Sequence, residues 1–168
     1  MEFRKAIEED SSSIMNIIKQ AQAYFKKKGI NQWQNNYPNL ETIRMDIKNN
    51  NGYVLLKDNK IIGTTAFILE GEKTYENIYE GEWLSSNKYG TIHRIAIDSQ
   101  YKGIGTAPII IKNLEEICLS KGINSIRVDT HEENLSMQRL VEKNGFKYCG
   151  IIYLEDKSKR MAFEKILL

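Results

Sequence analysis

Gly103 and Gly105 stand two residues apart in the run Gln100-Tyr101-Lys102-Gly103-Ile104-Gly105-Thr106-Ala107. Before the run lies Thr91–Asp98 (TIHRIAID), apolar and strand-like. After it, Ile109, Ile110, Leu114, Ile117 and Cys118 fall at helical spacing. A strand, a glycine turn and a helix in that order can bind an anion. Glycines admit positive φ and let a ligand approach the backbone. The helix start offers unpaired N–H groups and a partial positive charge, which suit a pyrophosphate. Lys102 adds a formal charge. A tight strand–helix turn with no ligand uses the same letters, so two familiar phosphate motifs are tested against the string. A Walker loop needs G-x-x-x-x-G-K-[ST], which does not occur. A dinucleotide fingerprint needs a third glycine where Pro108 stands.

The elements that must position this turn read as one α/β chain. Glu2–Ile7 is strand-like. Ser11–Ser13 can cap a helix whose stripe is Ile14, Ile17, Ile18, Ala21 and Phe25, closed by Gly29. Asn39 can cap a short helix, Leu40–Lys48. Tyr53–Lys57 and Ile61–Leu69 form a hairpin around Asp58-Asn59. Residues 70–87 carry no clear period. Ser125–Thr130 is a strand, Asn134–Lys143 a helix, and Phe146–Leu154 and Met161–Leu167 two final strands. No repeat, linker or low-complexity segment interrupts the chain, so residues 1–168 are expected to form a single domain.

Composition narrows the function classes. With 41% hydrophobic and 27% charged residues the chain has material for one core and is not a disordered composition. Its formal charge of +2 gives no argument for nucleic-acid or electrostatic membrane binding. The opening MEFRKAIEED has no apolar leader, and no apolar run approaches the roughly 20 residues of a membrane span. Cys118 and Cys149 lack zinc-site spacing and read as free buried thiols in a reducing compartment. No metal is implied. A cytoplasmic protein is expected.

The turn Gln100-x-x-Gly103-x-Gly105 after Arg94-Ile95-Ala96-Ile97, followed about 30 residues on by Asn134 and then by Leu140-Val141-Glu142-Lys143-Asn144-Gly145-Phe146, resembles the GNAT family of acetyl-coenzyme A-dependent N-acetyltransferases. The resemblance spans nearly the whole chain. It implies a GNAT-like α/β (α+β) fold: a central mixed, twisted sheet of six or seven strands flanked by about four helices. It implies that the backbone of Ile95, Ala96 and Ile97 pairs with the pantetheine arm of acetyl-coenzyme A. The N–H groups of Gln100, Tyr101, Lys102, Gly103, Ile104, Gly105, Thr106 and Ala107 would hold the pyrophosphate, and Asn134 would bond the arm. Many members carry a tyrosine, taken as the acid for the departing thiolate, where this chain has Val141. That role is therefore not carried over; Tyr148, Tyr153, water or unassisted departure are the alternatives.

The implied reaction is attack of a neutral amine on the thioester carbonyl, which requires a base and a donor to the oxyanion. A backbone N–H on Thr91–Asp98 would serve as that donor. His93 is the first candidate base, since an ordinary imidazole suits proton transfer near neutral pH. Alternation puts it on one face with Thr91 and Ile95. A strand histidine bonded to a neighbouring carbonyl is the other reading. His131, just past a strand end, reads as a loop cap. Glu80 and Glu82 precede the same strand and could act as base or bind a cationic amine, or be solvated loop carboxylates. Trp33, Tyr37, Tyr75, Tyr79 and Trp83 could wall an acceptor pocket or pack under long loops.

The sequence thus points to an acyltransferase moving acetyl from acetyl-coenzyme A to a primary amine. The acceptor would be a small molecule or a peptide amine, with no nucleic acid and no membrane involved; a homodimer is left open. A protein N-terminal or lysine acetyltransferase, and a non-catalytic acyl-coenzyme A sensor, are the alternatives.

Overall fold

The computed structural model describes residues 1–168. Seven strands make one sheet in the order β1-β2-β3-β4-β5-β7-β6. They are β1 Glu2–Lys5, β2 Gly52–Lys57, β3 Lys60–Ile68, β4 Gly90–Ile97, β5 Ser125–Thr130, β6 Lys147–Tyr153 and β7 Lys159–Ile166. Four helices accompany them: α1 Ser11–Lys28, α2 Leu40–Lys48, α3 Thr106–Ser120 and α4 Leu135–Lys143. The α/β reading with six or seven strands and four helices therefore stands. No helix is long and apolar enough to cross a membrane. The chain divides into two compact units, Met1–Phe67 with His93–Asn113, and Ile68–Ile92 with Leu114–Leu168.

In the first unit, β1 is shorter than the sequence suggests. Residues 8–10 form a 3-10 turn that delivers the chain into α1. Asp10 holds this junction, accepting from the Ile7 N–H at 2.8 Å and from Arg4 Nη1 at 2.7 Å. Burial alone would raise the Asp10 carboxyl pKa; Arg4 and the Ile7 N–H outweigh it and hold the pKa below the ordinary value. The α1 stripe is buried at Ile14, Ile17, Ile18 and Phe25. The first three pack with Ile43 of α2 and with Val54 and Ala96. Each buried isoleucine contributes about 1.5–3 kcal/mol. Asn39 caps α2 through its side chain, accepting from the Thr42 N–H at 3.0 Å. Asp58 and Asn59 adopt φ of 50° and 63°, the left-handed pair that a two-residue hairpin turn requires.

The second unit has a separate small core of Tyr75, Ile152 and Ala162, with Ile78, Trp83, Tyr89 and Leu154 against it. Residues 70–87, without a clear period in sequence, are ordered by distant partners. Tyr75 Oη donates to Asp129 Oδ2 at 2.6 Å, and Trp83 Nε1 donates to the Tyr75 carbonyl at 2.9 Å. Burial first, and then Asp129, push the Tyr75 pKa well above its ordinary value, so it stays a hydroxyl donor. Tyr79 forms an antiparallel bridge with Ile151, covering part of β6, the edge strand. Gly81 lies so close beneath this edge that a Cβ there would sit 1.9 Å from the Cys149 carbonyl oxygen. Gly81→Ala should therefore destabilise the fold by about 1–3 kcal/mol, as overpacking against backbone does. A lowered urea midpoint checks this, and an unchanged midpoint would show that the segment lifts off freely.

Cys118 and Cys149 are both buried free thiols. Burial pushes each up to about 11, so neither is a thiolate at neutral pH.

Candidate active site

The turn after β4 is built by Asp98. Its Oδ1 accepts the Gln100 N–H at 3.0 Å and its carbonyl accepts the Tyr101 N–H at 2.8 Å. The Ser99 N–H is taken by Gln20 Oε1 at 2.8 Å. Thr106 Oγ1 closes the far side on the Tyr101 carbonyl at 2.8 Å. The N–H groups of Gln100 and Tyr101, expected to face a ligand, are thus engaged within the turn. Those of Lys102 to Gly105 have no partner in the chain, and Thr106 and Ala107 open α3, whose first turn leaves its N–H groups unpaired. The candidate cradle narrows to residues 102–107.

Gly103 and Gly105 have φ of 76° and 83°, and a Cβ at either would meet nothing within 4 Å. Backbone conformation, not crowding within the chain, is what requires glycine here. Pro108 falls in the first turn of α3, where its missing N–H costs little. The Lys102 ammonium rests 4.9 Å above the Tyr24 ring.

The strand before the turn offers a second set of backbone groups. Its parallel ladder with β5 runs over two pairs, Gly90↔Ile126 and Thr91↔Arg127. Near its other end the Asp98 N–H bonds the Ile62 carbonyl of β3 at 2.9 Å. Backbone groups alternate along a strand, so Ala96 also faces β3, and Ile95 and Ile97 present N–H and C=O to the opposite edge. The Ala96 carbonyl, 3.6 Å from where a Gly63 Cβ would stand, agrees. Of the three residues expected to pair with a ligand, two face the edge and the third is committed to β3.

Arg94 breaks the alternation on which the placing of His93 relied. It has φ of 51°, left-handed for a long L side chain. The expectation that His93 shares a face with Ile95 by counting twos does not carry across it. His93 is half-buried, and its carbonyl accepts Thr65 Oγ1 at 3.0 Å. Arg94 Nη2 bonds both oxygens of Asp46 at 2.6 Å, and its Nη1 donates to Tyr37 Oη at 3.1 Å. Sequence reading missed this cluster, because residues 37, 46 and 94 carry no shared motif.

The remaining candidates separate. His131 Nδ1 accepts the Glu133 N–H at 3.0 Å, a loop cap; burial first and Arg160 next lower its pKa. Trp33 packs edge-on to Phe25, ring centres 5.6 Å apart, and so serves the first core. Glu80 and Glu82 are exposed in the second unit. Tyr79, also exposed, stacks edge-on with Tyr153 at 5.4 Å. Asn134 is buried as the cap of α4, its side-chain oxygen accepting the Met137 N–H at 3.2 Å. Val141 is fully buried core, whereas Tyr148 and Tyr153 are exposed residues.

Residues 16–146 match the model of the Acetyltransferase (GNAT) family. Among solved structures, the chain is similar to an acetyltransferase of the GNAT family from Streptococcus agalactiae 2603. The two are 37% identical with a TM-score of 0.90, over 99% of this chain and 95% of that one. It is also similar in fold to a GNAT-family acetyltransferase from Listeria monocytogenes 4b F2365, at 18% identity and a TM-score of 0.76, over 99% and 94% of the chains. A third likeness in fold is to the NatC complex bound to Gag peptide and CoA, at 16% identity and a TM-score of 0.69, over 99% and 98%. No curated protein sequence matches it.

Proposed function

Because the chain belongs to the GNAT family of acetyltransferases, we propose that β4 and the 98–107 turn hold acetyl-coenzyme A and that the enzyme passes the acetyl group directly to a primary amine in a ternary complex. The observation that carries this reading is the meeting of the Lys102–Gly105 turn and the first turn of α3 with the outward backbone groups of Ile95 and Ile97. Phosphate oxygens fit the first set, and an extended amide-bearing arm fits the second as an added strand would. Acetyl-coenzyme A supplies the activated acyl group. An outward N–H of β4 stabilises negative charge on the carbonyl oxygen. His93 takes the amine proton, directly or through water.

Val141 supplies no hydroxyl to the departing sulfur. A thiol with pKa about 8.5 is a fair leaving group without one. The acceptor is a small amine or a peptide amine, and the setting is cytoplasmic, in keeping with two free buried thiols.

Thermal unfolding with coenzyme A tests the site. Ligand at about 100 times its dissociation constant should stabilise the protein by roughly 2.7 kcal/mol. Absence of any shift at millimolar coenzyme A would overturn the assignment. Release of free thiol from acetyl-coenzyme A with a panel of amines then identifies the acceptor.

Gly103→Val and Gly105→Val sharpen the test. A β-branched residue at φ near 80° is strained, and its side chain would stand where a phosphate must approach. Each variant should weaken coenzyme A binding by about tenfold or more, because the side chain stands in the path of the phosphate. Since no chain atom lies within 4 Å of either Cβ, the apo protein should lose only the left-handed penalty of roughly 1–2 kcal/mol. Calorimetric titration showing unaltered affinity in both would make the turn purely structural.

A further inference from the structure

Arg94 is a β-strand residue in the left-handed region, with φ of 51°. Such a conformation is uncommon for a residue with a long side chain and persists only where its surroundings impose it. The surroundings here are specific. One guanidinium nitrogen, Nη2, reaches both oxygens of Asp46 at 2.6 Å, and Nη1 reaches Tyr37 Oη at 3.1 Å. The two charged side chains are only 13% and 15% exposed, so water screens them weakly. Arg94 Nε is buried with no acceptor. The guanidinium is therefore not placed where all its donors are satisfied. It is placed where Asp46 holds it, and that unmet donor is a cost the contact must offset.

Asp46 belongs to α2 and Tyr37 to the loop before it, so the contact ties both to β4 at its irregular residue. The irregularity has a consequence one residue further on. Backbone groups alternate along a strand, so a single residue that leaves the extended conformation decides which of its successors face each edge. Downstream of Arg94, Ala96 and Asp98 face β3, and Ile95 and Ile97 face the outer edge.

We propose that Asp46, with Tyr37, holds Arg94 in its left-handed conformation, and that this ion pair is the positioning device that aims the Ile95 and Ile97 backbone groups at the donor. The inference rests on the proposed acetyl-coenzyme A site. Arg94 touches neither donor nor acceptor in this role; it acts through the backbone it bends.

The test compares two replacements of one residue. Arg94→Ala removes the ion pair and leaves a residue that resists positive φ. Arg94→Gly removes the same ion pair and tolerates positive φ. Both lose the contact with α2, so both should melt lower. Their kinetics should diverge. Arg94→Ala should raise the KM for acetyl-coenzyme A about tenfold, the size expected of a left-handed penalty on an L residue. Arg94→Gly should regain most of that loss, and Asp46→Asn, which keeps shape and drops charge, should fall between. The KM for the amine should move less than that for the donor in each case.

Equal donor KM in the alanine and glycine variants, or no rise in the alanine variant, overturns the inference. If Arg94→Ala does not fold, Asp46→Asn decides: an unchanged donor KM overturns the inference and a raised one upholds it. Failure of the wild-type protein to bind coenzyme A is a different result, and it removes the site itself along with this device.

Discussion

Glu164→Ala is expected to lower the free energy of unfolding by about 3–5 kcal/mol, the cost of removing one member of a buried ion pair. Glu164 has no exposed surface and Arg127 is 5% exposed. Glu164 Oε1 accepts from Ser125 Oγ at 2.6 Å, Ser85 Oγ at 2.9 Å and Arg127 Nε at 3.2 Å. Its Oε2 accepts the Leu84 N–H at 2.6 Å. Four donors, one of them charged, converge on one carboxylate. Truncation would strand the buried Arg127 guanidinium and Ser125 hydroxyl, while the Leu84 N–H and Ser85 lie nearer water. The Trp83 and Tyr89 rings, centred 4.1 and 4.0 Å from the Arg127 guanidinium carbon, attract that cation but cannot replace a countercharge.

Urea denaturation of Glu164→Ala gives the loss directly. Hydrogen exchange at the Leu84 amide should quicken as well, because that N–H loses its acceptor. Glu164→Gln keeps one acceptor oxygen and should lose less. The double replacement Arg127→Met with Glu164→Leu should recover much of the stability, since the cost lies in the unpaired charge and not in the absence of a pair. A single variant with an unchanged midpoint would show that water or a neighbouring group takes over the four donors.

The same cluster shows why residues 70–87 could not be read from sequence. Their order comes from Tyr75 to Asp129, Trp83 to the Tyr75 carbonyl, and Leu84 and Ser85 to Glu164. Apart from the second, these partners lie 54 to 80 residues apart, and no local period or turn residue announces them. Where order is local, the sequence reading served well. The α1 stripe, the Asn39 cap and the Asp58-Asn59 turn each owe their conformation to neighbours within a few positions. Stripes reflect the pitch of a helix, and caps and turns reflect the chemistry of single residues.

The candidate site divides along the same line. The glycine turn is visible because positive φ restricts residue type, and Gly103 and Gly105 do adopt it. Its inner wiring is less visible: Asp98 captures the Gln100 N–H with its carboxylate and the Tyr101 N–H with its carbonyl, local bonds that compete with any ligand for them. Arg94 is the opposite case. Nothing about arginine signals a left-handed residue, so simple alternation along β4 does not fix the face of His93 relative to Ile95. The partners proposed to hold the bend, at positions 37 and 46, are remote in sequence.

Under the proposed function, His93→Ala should lower kcat by about 10² to 10⁴, the usual worth of a positioned general base. An alkylamine with pKa near 10.4 is mostly protonated at neutral pH, so the reaction needs somewhere to send that proton. His93 sits on β4, two residues before Ile95, and is only half-buried. The link that its main chain makes, Thr65 Oγ1 to its carbonyl at 3.0 Å, does not involve the imidazole and survives truncation. Coenzyme A affinity should therefore hardly change, since backbone groups and not this side chain are assigned to the donor. Near-normal kcat would take His93 out of the chemistry and leave Glu80 and Glu82 as the next bases to replace. Loss of folding or of coenzyme A binding in the variant would instead mark the imidazole as a structural group of β4.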